Sequence, residues 1–146
     1  MAQATGIHTI SRRIGFGHCD PAGIVFFIEF FRMCNTLFEE WLTDRLGVPF
    51  ADEFFSRDHM FPVVHTEADF KRPLRMGDRL EIGLVLNRIG RSSIDYTCIG
   101  TSDGAEVFSI RMVNAMGRRS AGHPIEIPDY VRKPMQSYLE ACGRGA

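Results

Sequence analysis

Gly15-Phe16-Gly17-His18-Cys19-Asp20-Pro21-Ala22-Gly23-Ile24-Val25-Phe26-Phe27 decides how this chain is read. The stretch holds one carboxylate, Asp20, among glycines, a proline and apolar side chains. A charged group in such company conflicts with its neighbours, and conflicts of that kind concentrate at functional sites. On the amino side, residues 8–16 alternate, with Ile10, Ile14 and Phe16 on one face and Arg12 as the exception, which predicts a strand. On the carboxyl side the period changes. Phe27, Phe30, Phe31, Cys34, Leu37, Phe38, Trp41 and Leu42 form one broad apolar stripe at helical spacing, with Glu29, Arg32, Glu39, Glu40 and Asp44 mainly off it. The spacing predicts a long helix over residues 26–46, ended by Gly47 and Pro49.

Such a helix is a rod of about 30 Å, and matching it takes roughly six strands at about 4.8 Å apart. The remaining sequence supplies most of them. Strands are expected at residues 62–71, 79–88, 92–101 and 106–116. Leu80, Ile82, Leu84 and Leu86 alternate in the second, Ile94, Tyr96 and Cys98 in the third, and Phe108, Ile110 and Met112 in the fourth. The short connections at residues 73–78, 89–91 and 102–105 read as hairpin turns, giving a meander. Residues 50–61 form a connector with a helical turn. Residues 129–141 form a short final helix weakened by Pro134, and residues 1–6 form a loose tail. The expected fold class is α+β, one domain over residues 1–146, with a long central helix wrapped by an antiparallel sheet of about five to six strands. The outer face and edges of that sheet need cover, so a dimer or a tetramer of two dimers is expected.

Composition narrows the function. Lys and Arg number 17 against 18 Asp and Glu, so neither nucleic acid nor an anionic membrane is an expected partner. Twelve phenylalanines exceed what a core of this size requires, and the surplus points to an apolar ligand pocket or an interface. Cys19, Cys34, Cys98 and Cys142 form no CxxC pair, and neither they nor His59, His65 and His123 show metal-ligand spacing. Reduced thiols, no signal-peptide order and no apolar run of about 20 residues give a cytoplasmic expectation. No metal or redox cofactor is expected.

The run Phe16-Gly17-His18-Cys19-Asp20-Pro21-Ala22-Gly23-Ile24-Val25-Phe26-Phe27 resembles the signature loop of the 4-hydroxybenzoyl-CoA thioesterase family, whose members have the hotdog fold. The order of elements, strand, loop, long helix and four strands, is similar over nearly the whole chain. The resemblance implies hydrolysis of an acyl-CoA thioester in a homo-oligomer, with coenzyme A as part of the substrate. It implies that Asp20 is the nucleophile or the general base, and that the helix start at Phe27 polarises the thioester carbonyl. It places a basic-Ser pair for coenzyme A at Arg91 and Ser92. Two departures stand out. Many relatives carry His or Tyr where this chain has Phe27, so polarisation there must come from the backbone N–H. His18 replaces an acidic or small polar residue.

The chemistry fits these residue types. A thioester needs a base or nucleophile and donors for its carbonyl oxygen. Asp20 offers the first, and unpaired N–H groups at a helix start offer the second. Gly23 and Gly17 let the backbone bend and a substrate approach closely. Arg88, beside Arg91, is a further phosphate-binding candidate, with Arg118 and Arg119 behind it. Phe26, Phe27 and Phe61 are candidates for an acyl pocket. Each reading has a plainer competitor: Asp20-Pro21 as a helix cap and first turn, the arginines as hairpin-tip charge, the phenylalanines as core. Glu39 and Glu40 are rival carboxylates that a solvated helix face explains. His18 could orient Asp20 or water, or serve structure alone, and Cys19 reads as a packed thiol. The rival functions are a hotdog dehydratase, which needs a paired His and acid, and a non-catalytic acyl-CoA-binding module.

Overall fold

A computed structural model describes residues 6–145; the tail read over residues 1–6 lies, but for Gly6, outside them. The elements are β1 (His8–Arg13), α1 (Phe27–Glu40), α2 (Phe50–Phe55), β2 (His59–Met60), β3 (Val63–Phe70), β4 (Arg79–Ile89), β5 (Ser93–Ser102), β6 (Ala105–Ala115), β7 (Gly117–Arg118) and α3 (Asp129–Gly145). Five strands make one antiparallel sheet in the order β1-β4-β5-β6-β3. A second, two-stranded sheet joins β2 to β7 and had no visible sequence period.

The helix stripe and the strand faces meet as the periodicities require. Phe30, Met33, Cys34, Leu37, Phe38, Trp41 and Leu42 are buried, as are Leu80, Ile82, Leu84, Leu86, Ile94, Tyr96, Cys98, Phe108, Ile110 and Met112. Each fully buried Leu or Ile contributes about 2 kcal/mol. Ring contacts fix the helix on the sheet: Phe38 stacks on Tyr96 at 5.1 Å and Phe30 tilts over Phe108 at 4.8 Å. The helix continues through a π-helical turn, Trp41–Arg45, and ends where Gly47 takes φ +71°. The opposite face of the sheet mixes Val85, Ile99 and Val113 with charged groups. Arg111 on β6 bonds Asp95 on β5 through Nε at 3.0 Å and Nη2 at 2.7 Å, and Glu67 on β3 through Nη1 at 2.6 Å. The hydrogen bond from Arg111 holds the Asp95 carboxyl below its usual range.

Three expectations change. Strand β1 stops at Arg13 because its partner β4 begins at Arg79, directly opposite. Phe16 is therefore not a strand residue; it opens a 3-10 turn, Phe16–His18, and is 83% exposed. The β3–β4 connection is not a hairpin, because these strands are not neighbours. Residues 71–78 cross three strand spacings, about 14 Å, and within that crossover Leu74 accepts the Val25 N–H at 2.9 Å. Last, α3 runs to Gly145 through Pro134. Its buried row Val131, Met135, Tyr138 and Cys142 outweighs the one backbone bond that proline removes.

Gly100 packs flat against the buried ring of Phe108, and a Cβ there would lie 2.4 Å from Phe108 Cε2. Since Phe30 pins that ring from the other side, Gly100→Ala is expected to lose about 1–3 kcal/mol in chemical denaturation.

Candidate active site

The loop that carries Asp20 is a small hairpin set before the helix. Its arms are joined by Asp20 N–H to Ile24 O at 2.9 Å and Phe26 N–H to His18 O at 3.0 Å, around a Cys19–Val25 bridge. The turn is Asp20-Pro21-Ala22-Gly23, with Gly23 N–H donating to Asp20 O at 2.9 Å and Gly23 at φ +84°. Asp first, Pro second and a left-handed Gly last are what a three-residue hairpin built on a type I turn selects. The Asp20 carboxylate adds a bond, accepting the Ala22 N–H on Oδ1 at 2.9 Å. Asp20 is therefore not the cap of α1. That position is Phe26, which offers no side-chain cap. Two clamps hold the hairpin. Val25 N–H bonds Leu74 O at 2.9 Å beside an Ile24–Arg75 bridge. On the other arm, the Phe16–His18 turn is closed by Gly15 N–H donating to His18 Nδ1 at 2.9 Å.

The hairpin returns the chain to the start of α1. Glu29 N–H bonds Phe26 O at 2.8 Å, while the amides of Phe27 and Ile28 have no acceptor among the described residues. These orphan donors mark the positive end of the helix dipole. Asp20, half-buried, borders two cavities with Cys19 and Pro21. One, of about 410 Å³, adds Phe16, Gly23 and Met76. The other, of about 320 Å³, adds Gly17, His18, Phe26 and Glu29. Asp20 and Phe26, the residue before the first orphan amide, thus line one space. His18 turns its Nδ1 to Gly15 rather than to Asp20, so the two do not form a His–carboxylate pair. Cys19 Sγ lies 3.6 Å from Gly15 O, the contact of a packed thiol.

The other candidates are spread more widely. Phe27 is half-exposed, edge-on to Phe26 at 5.3 Å and to Phe70 at 5.9 Å. Phe61 packs in the core against Phe38 at 5.8 Å and Phe50 at 5.7 Å, and lines neither cavity. Arg88, Arg91 and Ser92 lie at the β4–β5 hairpin, whose backbone is held by Met116, Ile127 and Arg132. The Asp20 loop docks on the other end of β4, where Ile14 N–H bonds Asp78 O at 2.8 Å. The 11 residues of β4 separate the two by about 35 Å. One chain does not bring them together. Phe16, Met76 and Glu29 are lining residues that sequence reasoning missed: Phe16 was assigned to a strand, Met76 to a plain turn, and Glu29 was only placed off the apolar stripe.

A larger cavity, about 510 Å³, lies between the second half of α1 and α2 and includes Glu39 and Glu40. Glu40 is held by Arg12 at 2.8 and 2.9 Å. This is the carbonyl end of the helix, which repels a developing oxyanion, so size does not make it the better site. Among the described residues no group of three His, Cys, Asp or Glu is placed to hold a metal ion, and no helix is long and apolar enough to cross a membrane.

A long helix wrapped by this sheet is the hotdog fold, and known structures share it. A 1,4-dihydroxy-2-naphthoyl-CoA thioesterase from Synechocystis superposes with TM-score 0.79 at 21% identity, over 92% of this chain and 96% of that one. A gentisyl-coenzyme A thioesterase superposes with TM-score 0.79 at 24% identity, over 87% and 98%. Fold and site together define a hotdog protein with a carboxylate beside a helix start. The chain belongs to the thioesterase-like superfamily, whose model matches residues 14–135. In sequence it is similar to the 1,4-dihydroxy-2-naphthoyl-CoA hydrolase of Prochlorococcus marinus (strain NATL2A), 37% identical over 91 residues. That alignment spans 58% of each chain, less than two thirds of the relative's length.

The left-handed turn at Gly23 leads to a test of the loop. Space around it is open, so Gly23→Ala costs only torsional strain, about 1 kcal/mol. A lowered Tm is expected for Gly23→Ala, and an unchanged one for Gly17→Ala, where φ is ordinary and space is equally open.

Proposed function

We propose that this protein hydrolyses an acyl-CoA thioester to the free acid and coenzyme A. The observation that carries the proposal is the Asp20 carboxylate, in a clamped turn between two cavities at the start of α1. Membership of the thioesterase-like superfamily supports it.

Two routes use the same atoms. In one, the Asp20 carboxylate attacks the thioester carbon, the carbonyl becomes an oxyanion, and the carbon–sulfur bond breaks to expel the coenzyme A thiolate. Water then cleaves the acyl–aspartyl anhydride. In the other, Asp20 takes a proton from water as that water attacks the same carbon, and the carbon–sulfur bond then breaks to release the coenzyme A thiolate, which the proton held on Asp20 can neutralise. In both, the Phe27 and Ile28 amides face the developing oxyanion, each such donor contributing about 3 kcal/mol. An aryl acyl group fits best. The lining is apolar through Phe16, Phe26 and Met76, and the similar Prochlorococcus protein acts on a naphthoyl-CoA. No metal or redox group enters either route, and a cytoplasmic setting fits the free cysteines.

A second copy of the chain completes this reading. Strand β3 pairs only with β6, so its outer edge is open. Val63, Val64 and Phe70 are exposed along it, continuous with Phe26 and Phe27. A two-fold pairing of β3 edges is antiparallel and exchanges ends. It carries the partner's β4–β5 hairpin to the end of the sheet where Asp20 lies. Arg88, Arg91 and Ser92 would then serve the neighbouring copy, binding the phosphates of coenzyme A.

Free-thiol release from a panel of aryl- and alkyl-CoA thioesters tests the chemistry. Asp20→Asn keeps an acceptor for Ala22 N–H, so it is expected to fold normally while turnover falls by about 10³ or more; Asp20→Ala should fall as far. Turnover unchanged in both variants rejects the reading. Oxygen-18 from water appearing in Asp20 after a single turnover marks the covalent route. For assembly, light scattering is expected to show a dimer or tetramer, shifted toward monomer by Val64→Glu.

A further inference from the structure

We infer that His18 is a second working group of the Asp20 site, its Nε2–H being the side-chain donor that binds the thioester carbonyl oxygen. The inference rests on the proposed hydrolysis. The tautomer follows from one contact. Gly15 N–H donates to His18 Nδ1 at 2.9 Å, and a backbone N–H can only donate. Nδ1 therefore presents its lone pair, and in the neutral ring the proton sits on Nε2. Nε2 has no protein partner among the described residues, and the half-buried ring lines the cavity shared with Asp20 and Phe26. Phe26 is the cap of α1, so the orphan amides of Phe27 and Ile28 begin at the next residue. The remaining polar side chain of that cavity, Glu29, is acceptor-only when ionised and cannot bind a carbonyl oxygen. The Phe27 side chain offers no hydrogen bond. His18 also borders a smaller cavity, about 200 Å³, with Arg12, Glu29 and Arg32; on the Asp20 side it is the side chain able to donate a strong hydrogen bond, and its Nδ1 contact fixes the ring before substrate arrives.

The plain alternative is that His18 only closes the 3-10 turn through Nδ1. Two variants separate the roles, because an Asn side chain reaches about as far as Nδ1 and a Gln about as far as Nε2. His18→Asn keeps an acceptor for Gly15 N–H and loses the distant donor. Its Tm is expected within about 2 °C of the parent, with kcat lower by on the order of 10² and KM little changed. His18→Gln restores an N–H near the Nε2 position and is expected to regain part of kcat even where Tm drops. Parental kcat in His18→Asn overturns the inference. So does a kcat loss that merely follows a fallen Tm and is not regained by Gln. In either case an inactive Asp20→Ala leaves the hydrolysis reading in place, whereas an active Asp20→Ala removes both.

Discussion

The burial of the α1 stripe against the inner face of the sheet is the constraint that everything else obeys. Seven buried side chains from Phe30 to Leu42 fix the rotation and the height of the helix on the strands. Fixing the rod fixes its first turn, and with it the direction of the free amides of Phe27 and Ile28. The Asp20 loop buries little beyond Val25. It takes its place from the helix it precedes and from the Leu74 carbonyl that receives the Val25 N–H.

Most of the fold was legible because its elements are long and periodic. The period of two in β4, β5 and β6 and the 3.6-residue stripe of α1 match the buried side chains almost residue for residue. The sequence misled where the decisive partner was remote. Nothing in the alternation of Ile10, Ile14 and Phe16 reveals that β4 begins opposite Arg13 and that pairing must stop there. Residues 73–78 carry turn chemistry, yet turn chemistry does not say which strand comes next to which. The β2–β7 pair is two residues on each side, too short for any period to show.

The site divides in the same way. Asp20 was visible as a charge out of place, and Gly23 was read as a bend, while Asp20-Pro21 was also read as a helix cap and first turn. Their turn is a hairpin turn rather than a helix cap, because Ile24 and Phe26 bond back across the loop instead of entering the helix. Phe61 was chosen by type, and type alone carries no coordinates: it lies in the aromatic core. The Arg91-Ser92 pair, placed by the family resemblance, lies at the end of β4 away from Asp20. Phe16 was hidden by its false alternation with Ile10 and Ile14, and Met76 by the turn residues around it.

The crossover between β3 and β4 has a kinetic side. The Asp20 hairpin is tied to Leu74, Arg75 and Asp78, which take their places only after β3 and β4 have found separate neighbours in the sheet. Contacts between distant parts of a chain form slowly, since loop closure must come first. The carboxylate is thus among the last groups to be seated. In a collapsed intermediate with helix and strands half assembled the hairpin lacks the crossover that holds it, so order in this loop during refolding reports completed topology rather than compaction.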